Sequence, residues 1–127
     1  MIRTKMHIKY ARLNLQEAEA AIEEDNFPTA LKKCRDSAIS LVKAIKEAYP
    51  KETMEIDPVD LKRLEYLLKG LTDSKDQAER LTQNLMLILS GAPKMDPSRI
   101  HAESILSLTG TLFQAVHDLF APSFPEI

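Results

Sequence analysis

The stretch that decides the fold runs from residue 8 to residue 48 and reads IKYARLNLQEAEAAIEEDNFPTALKKCRDSAISLVKAIKEA. Apolar residues recur in it at intervals of three and four, which is the repeat of one face of an α-helix. Before the polar turn at 25–26, this apolar stripe consists of Ile8, Ala11, Leu15, Ala18 and Ile22. The spacing predicts a first helix from about Thr4 to Glu24.

A second helix is predicted to begin at Phe27-Pro28, directly after this turn. Proline is tolerated at the start of a helix, because its missing N–H would have no partner there. The N-cap is Asn26 or Phe27, and Asn26 is the better candidate because its side chain can accept a hydrogen bond. Pro50 stops the helix, since the residue before a proline avoids the α conformation. The second apolar stripe consists of Leu31, Cys34, Ala38, Leu41, Ile45 and Ala48.

Two Asp-Pro pairs mark further helix starts, because aspartate is a favoured N-cap and proline is favoured in the first turn. Asp57-Pro58 predicts the third helix, and Asp96-Pro97 predicts a last helix that runs to about Phe120. The apolar face after the first pair consists of Leu61, Leu64, Leu68 and Leu71. The apolar face after the second pair consists of Ile105, Leu108, Leu112, Val116 and Leu119.

The segment between these two start signals has two interpretations. A glycine and a polar cluster favour a break, yet the apolar repeat continues in phase across them. Residues 58–70 and 74–90 are therefore either two helices or one kinked helix. We favour two, with Ser74 or Asp73 as the cap of the second. Gly91 then follows that helix as its C′ residue, a position where glycine is common.

Long helices joined by short loops predict an all-α fold. We expect a single domain over residues 1–127, built as an antiparallel up-down bundle of four to five helices. Signals for β-strands are weak, since no alternating runs of β-branched residues lie between turns. Pro122 and Pro125 indicate that residues 121–127 form an irregular tail.

Composition narrows the class of protein. A net charge of −2 gives no overall attraction to nucleic acid or anionic lipid, although it leaves a local basic patch open. A single cysteine allows no intramolecular disulfide and suits a reducing compartment. No apolar run approaches the ~20 residues that span a bilayer, and residues 1–9 do not resemble a secretory signal. We therefore expect a cytoplasmic protein that has no contact with membranes.

Residue chemistry offers little for catalysis. His7, His101 and His117 lack the spacing of metal ligands on a helix, so we predict no metal site and no cofactor. Cys34 lies on an apolar stripe and is interpreted as a small buried residue rather than a nucleophile. Pairs of carboxylates lie where helix caps and solvated faces would place them anyway. Whether the chain is an enzyme stays open, with the weight against it.

The start of the last helix is the most interesting candidate site. The first N–H groups of a helix have no partner within it and attract anions. Lys94 and Arg99 flank the predicted start, and His101 lies in the first turn. These three residues are our candidate ligand-binding residues. The alternative is an ordinary solvated face.

Helices two and five carry more apolar residues than one stripe requires. The additional residues are Ile39, Val42, Leu106 and Phe113. They either widen the core or form the surface of a homodimer, because exposed apolar patches often mark interfaces.

The helical hairpin in the first half of the chain has a recognisable sequence pattern. Its landmarks are Ala11-Arg12-Leu13, Ala18, Asp25-Asn26-Phe27, Ala30, Cys34, Ala38 and Lys43-Ala44-Ile45. This pattern resembles the first helical hairpin of HEPN domains, which are small α-bundles often encoded beside minimal nucleotidyltransferases. The resemblance covers residues 8–48, and the remaining helices fit in number and length. TPR repeats share the turn, but their 34-residue unit is too short for these two helices.

The resemblance implies a function and exposes a gap. Ribonuclease members of the HEPN group carry an arginine followed, after four to six residues, by a histidine near a dimer interface. No arginine in this chain has a histidine at that spacing. The resemblance therefore implies a non-catalytic binding or assembly module. It would be homodimeric and partnered with a nucleotidyltransferase or a toxin–antitoxin-type protein.

Two alternatives stay open beside this interpretation. The first is a nucleotide- or RNA-binding bundle whose site lies at residues 96–101. The second is a ribonuclease with a non-standard site, in which Arg99 and His101 act at an unusual spacing.

Overall fold

The computed structural model describes residues 2–48, 58–72, 74–91 and 96–127, and these residues form five α-helices without a β-strand. The helices are α1 (Ile2–Glu23), α2 (Phe27–Glu47), α3 (Pro58–Thr72), α4 (Lys75–Gly91) and α5 (Arg99–Phe120). The predicted all-α fold is therefore confirmed. Pro50, the expected cap Asp57, Asp73 and Lys94 lie outside the described residues.

The turn between α1 and α2 is built from two helix signals that overlap. Asn26 N–H bonds to the Ala21 carbonyl at 2.8 Å and Asp25 N–H bonds to the Ile22 carbonyl at 3.0 Å. This is a Schellman motif, which closes a helix end with one residue in the left-handed region. Asp25 occupies that position with φ 58°. Asn26 then caps α2, because its side chain accepts from Thr29 N–H at 3.3 Å, as the sequence predicts.

Small side chains let α1 and α2 pack closely. The fully buried small residues of this pair are Ala11, Ala18, Ala30, Cys34, Ser37, Ala38 and Ala44. Ser37 donates a buried hydrogen bond of 2.8 Å to the Ala11 carbonyl, and Lys33 pairs with Glu17 at 2.7 Å. A later residue of α1 thus meets an earlier residue of α2, so the two helices run in opposite directions. The up-down order of the whole bundle stays a prediction.

The segment between residues 58 and 91 forms two helices, α3 and α4, rather than one kinked rod. Ser74 is the predicted cap: its hydroxyl accepts from Gln77 N–H at 3.3 Å. Its own N–H donates to the Thr72 hydroxyl at 3.2 Å. The side chains of Leu64, Leu68, Ala78, Leu81, Leu85 and Ile88 are buried, as their spacing predicts.

Gly91 differs from its predicted role. It is the last residue of α4, rather than the C′ residue beyond it, and its φ is not positive. A Cβ atom at this position would lie 2.8 Å from Ile105 Cδ1, so a larger residue would need the end of the Ile105 side chain to shift. Gly91 therefore lets the end of α4 approach α5 closely.

The core lies between α5 and the two hairpins. Helix α5 packs against α1, α2 and α4, while α3 packs mainly against α4. Residues 121–127 are irregular, as expected, but they rest on α1: an oxygen of Ile127 accepts from Arg12 at 2.6 Å and Glu126 pairs with Lys5. That ion pair holds the pKa of Glu126 below its usual value. Phe124 and Ile127 pack against the core from this tail.

Candidate functional site

The predicted anion site lies at the N-terminus of α5, which starts later than the sequence suggests. The N-cap is Ser98 rather than Asp96, and its hydroxyl accepts from His101 N–H at 3.1 Å. The Ser98 carbonyl also accepts from Ala102 N–H at 3.0 Å. A serine hydroxyl is as good a cap as a carboxylate, so the cap moves two residues along the chain. Of the N–H groups that an anion could use at this helix start, that of His101 is therefore already bonded.

Arg99 is engaged by groups of its own chain. Its guanidinium pairs with the Asp25 carboxylate in the α1–α2 turn, and with Glu103 one helical turn later at 3.3 Å. It also lies over the ring of Phe27, 5.2 Å from the ring centroid. This cation–π contact and the two ion pairs join the start of α5 to the α1–α2 turn. The side chain is still 47% exposed, so it remains accessible from solvent.

His101 points at a different neighbour. Its Nε2 lies 2.9 Å from the Gly91 carbonyl oxygen, and a carbonyl can only accept, so this nitrogen carries the proton. The ring is half-buried and closes the end of α4 against α5. Because that carbonyl belongs to the last turn of α4, it has no partner within the helix. The imidazole supplies this partner.

The structure therefore does not gather the predicted site into one cluster. Arg99 contacts the α1–α2 turn and His101 contacts the end of α4, while Lys94 lies outside the described residues. The two carboxylates beside Arg99, from Asp25 and Glu103, compete with any incoming anion. Ligand binding at these residues stays a prediction. Their visible contacts are those of a structural junction.

The other reactive side chains of the described residues are dispersed. No three His, Cys, Asp or Glu residues of the described part of the chain lie together as metal ligands. His117 contacts its neighbour Asp118 at 3.4 Å and the ring of Phe113, whose centroid is 5.9 Å away. Desolvation lowers the pKa of His7, while the Glu47 carboxylate opposes this shift and Lys43 adds to it.

Cys34 is fully buried on the apolar stripe of α2, as its spacing predicts. Burial raises the pKa of its thiol, while a side-chain hydrogen bond with Thr109 of α5 acts in the opposite direction. A thiol reacts as the thiolate and needs access to its substrate. Cys34 in the folded chain therefore has neither property of a nucleophile.

The interior offers no room for a ligand among the described residues. The enclosed space between the helices measures about 10 Å³, which is at the lower limit for one water molecule. Its walls are apolar, so a water molecule there would have no hydrogen-bond partner. The lining residues are Leu41, Val42, Ile45, Leu64, Leu68, Leu81, Leu85, Leu112 and Val116. The void is thus a packing imperfection.

Two of the four additional apolar residues of α2 and α5 belong to the core. Val42 and Phe113 are buried, while Ile39 and Leu106 are half-buried. The expected alternative, a dimer surface made of these four residues, therefore loses two of its members. Phe113 is covered on one side by the Arg12 guanidinium, 5.4 Å from its ring centroid.

Large apolar side chains are also exposed on α1, in addition to Tyr66 of α3, Met86 and Leu87 of α4 and Ile100 of α5. Met6, Tyr10 and Leu13 are between 41% and 50% exposed and follow one another at intervals of four and three residues. This spacing places them on one face of the helix. The same periodicity, applied to the polar side of α1, is the signal that would have found them.

Comparison of the chain with protein families, with curated proteins and with solved structures finds no match. Among the helices of the described residues, none combines the length and the apolar character needed to cross a bilayer.

Proposed function

We propose that this chain is a non-catalytic, HEPN-like binding and assembly module that forms a homodimer in the cytoplasm and partners a nucleotidyltransferase. The observation that carries the proposal is that the candidate polar side chains already contact other groups of the same chain. Arg99 is held by Asp25, Glu103 and Phe27, and His101 is held by the Gly91 carbonyl. These residues connect helices, which leaves them poorly placed to act on a substrate.

A catalytic site needs polar groups that converge on a cleft large enough for a substrate. The void inside the bundle is apolar and smaller than a ligand. The thiol of Cys34 is buried, and Arg99 and His101 turn towards different helices. The geometry of the described residues thus favours binding through the surface over chemistry in a pocket.

The ribonuclease alternative makes a testable demand on His101. We expect single-stranded RNA to stay equally intact with the wild type, with His101→Ala and with Arg99→Gln. Gel electrophoresis of a labelled RNA after prolonged incubation measures this. RNA cleavage by the wild type that both substitutions abolish would contradict a non-catalytic module.

The nucleotidyltransferase partner rests on the HEPN resemblance, which is an analogy of fold. It is tested by co-expression with a nucleotidyltransferase encoded beside this gene. Stoichiometric co-purification through a tag on the enzyme supports the partnership. Elution of the two proteins as separate species over a range of micromolar concentrations argues against it.

A second candidate function, nucleic-acid binding, is favoured by one surface of α2. Lys32, Arg35, Lys43 and Lys46 share one helical face, where the first three are exposed and form no ion pair with a described residue. Such a row can neutralise phosphates, each of which changes the logarithm of affinity by about −0.7 per decade of salt for a single strand. Fluorescence anisotropy of a labelled RNA tests this: Lys32→Glu should weaken binding, and the matched control Lys62→Glu on α3 should not.

A further inference from the structure

The outward face of α1 has the repeat of a coiled-coil seam. Its positions are separated by three and four residues in strict alternation. They are Arg3, Met6, Tyr10, Leu13, Glu17, Ala20 and Glu24. Successive helical residues turn by about 100°, so this seam lies roughly opposite the buried stripe that contains Ile8 and Ala18. Glu24 continues the seam beyond the helix, since its N–H still bonds to the Ala20 carbonyl at 3.2 Å.

The middle of this α1 seam is apolar and open to solvent. Met6, Tyr10 and Leu13 are about half exposed, and Ala20 is exposed beyond them. Met6, Tyr10 and Leu13 form an apolar strip on a helix whose other side is already in the core, and Glu17 separates this strip from Ala20. A helix that is apolar on two opposite sides has more apolar surface than this bundle uses. Such exposed strips mark contact surfaces.

Charge is divided along the same helix. Residues 2–16 carry four basic side chains and no acidic one, whereas residues 17–25 carry five acidic side chains and no basic one. Four of these charges are used within the chain, by Lys5, Glu17, Asp25 and Arg12. The charges at the two ends of the seam, Arg3 and Glu24, are exposed and form no ion pair with a described residue.

We propose that the α1 seam binds the α1 seam of a second copy, antiparallel, around a two-fold axis at Leu13. In this arrangement Leu13 packs against Leu13 of the second copy, and Met6 packs against its Ala20. Tyr10 lies opposite Glu17 and its hydroxyl donates to that carboxylate. Arg3 at each end lies opposite Glu24 of the other copy. The proposal names the interface of the homodimer and so rests on the proposed function.

The pattern selects a second copy over an unrelated partner because it complements itself. Pairs of seam positions that add to 26 or 27 contain apolar with apolar, base with acid, and tyrosine with acid. A two-fold contact joins one patch to the same patch, so this symmetry is what an isologous interface requires. A parallel pairing would instead place the basic halves together and the acidic halves together, which is repulsive.

The size of the seam sets the strength of the dimer. From Arg3 to Glu24 the helix is about 32 Å long and, with side chains, about 10–12 Å wide. This strip is smaller than the roughly 800 Å² per partner of a standard stable interface. The dimer is therefore expected to be concentration-dependent, with a Kd of about 1–100 μM rather than nanomolar.

Sedimentation velocity over a concentration series tests the apolar centre. Leu13→Lys removes the central contact and places two like charges at the axis, so its dimer Kd should rise by about 100-fold or more. Leu87→Lys is the matched control, because Leu87 of α4 is 53% exposed, of the same residue type, and outside the seam. Circular dichroism verifies that both variants keep their helices. The control should dimerise like the wild type.

Charge reversal tests the antiparallel register. Arg3→Glu alone and Glu24→Arg alone each create two repulsive end contacts in a homodimer, so each should raise the Kd several-fold. A mixture of the two variants should form a heterodimer with two attractive end contacts. Its Kd should return to that of the wild type, and added salt should reduce the difference.

The possible results separate the interface from the dimer itself. A wild-type dimer that Leu13→Lys leaves intact would overturn the α1 seam while leaving the homodimer standing. A wild type that stays monomeric up to about 0.5 mM would overturn both the seam and the homodimer of the proposed function. Loss of the dimer in Leu13→Lys, with recovery in the mixed charge variants, establishes the antiparallel seam.

Discussion

Arg99→Gln is expected to lower the free energy of unfolding, because the guanidinium joins the start of α5 to the α1–α2 turn. The substitution keeps a polar, helix-compatible side chain and removes three contacts. These are the ion pairs with Asp25 and Glu103 and the cation–π contact with Phe27. If Arg99 instead exists to bind a ligand, its removal should leave the stability of the free protein almost unchanged.

The magnitude follows from the exposure of the partners. The Asp25 and Glu103 side chains are more than half exposed, so each pair contributes about 0.2–1 kcal/mol. The contact with Phe27 adds about 0.5–1 kcal/mol at a site open to solvent. Since these terms share one side chain and do not simply add, we expect a total near 1–1.5 kcal/mol. For a domain of this size, that is about 3–6 °C in Tm.

Urea unfolding followed by circular dichroism measures the effect, with Arg80→Gln as the control. Arg80 lies exposed on α4 and has no ion pair with a described residue. High salt should remove the part of this free-energy loss that comes from the two ion pairs, and leave most of the part that comes from the contact with the Phe27 ring. A loss below about 0.3 kcal/mol in low salt, equal to that of the control, would refute a structural role for Arg99.

Three further predictions concern buried or partly buried polar groups. Thr4→Val should raise the free energy of unfolding by about 1 kcal/mol in urea titrations, because the buried Thr4 hydroxyl has no partner among the described residues. Ser37→Ala should lower it by about 1 kcal/mol through loss of the buried bond to Ala11, measured in the same way. Desolvation lowers the pKa of His7 in the folded chain below the usual 6.5, so the unfolded chain binds a proton more readily at this residue. The free energy of unfolding is therefore highest above pH 6.5 and falls on acidification. Unfolding of His7→Gln between pH 5 and pH 8, compared with the wild type, should show a weaker dependence.

The helices and the core could be predicted from the sequence because both depend on local spacing. The recurrence of Ile8, Ala11 and Ala18 on α1 identified the side that is buried. Likewise, Asn26 and Ser74 were identifiable as caps, since a cap acts on backbone only three residues away. Periodicity and capping involve neighbours along the chain, so no tertiary information was needed.

The candidate site was less predictable because its contacts join distant parts of the chain. Arg99 and Asp25 are separated by 74 positions, and no periodic pattern in the sequence predicts their ion pair. The assignment of Gly91 as a left-handed C′ residue was wrong, because Gly91 is the last residue of α4 and its φ is not positive. Its close neighbour Ile105 belongs to another helix, so local spacing does not reveal this contact. Which surface residues meet is decided by the tertiary packing of the helices.

The exposed strip of α1 illustrates a different failure. Met6, Tyr10 and Leu13 lie in a helix whose buried stripe already explained its amphipathic pattern. The wide apolar faces of α2 and α5 favour a contact surface there, but Val42 and Phe113 on these faces are in the core. A second periodic pattern on the opposite side of a helix becomes informative only when the first has been assigned to the interior.

Because Cys34 is buried, the rate at which its thiol is labelled reports local opening of the helices in the unmodified chain. A thiol reagent in solution reaches this sulfur only when α2 separates from α1 and α5, because the side chain is fully enclosed. When closing is faster than labelling, the labelling rate equals the intrinsic thiol rate multiplied by the equilibrium fraction of open molecules. Mass spectrometry of the labelled chain therefore measures the opening equilibrium of the native state without denaturant. A dimer that holds α1 in place would lower the labelling rate of Cys34.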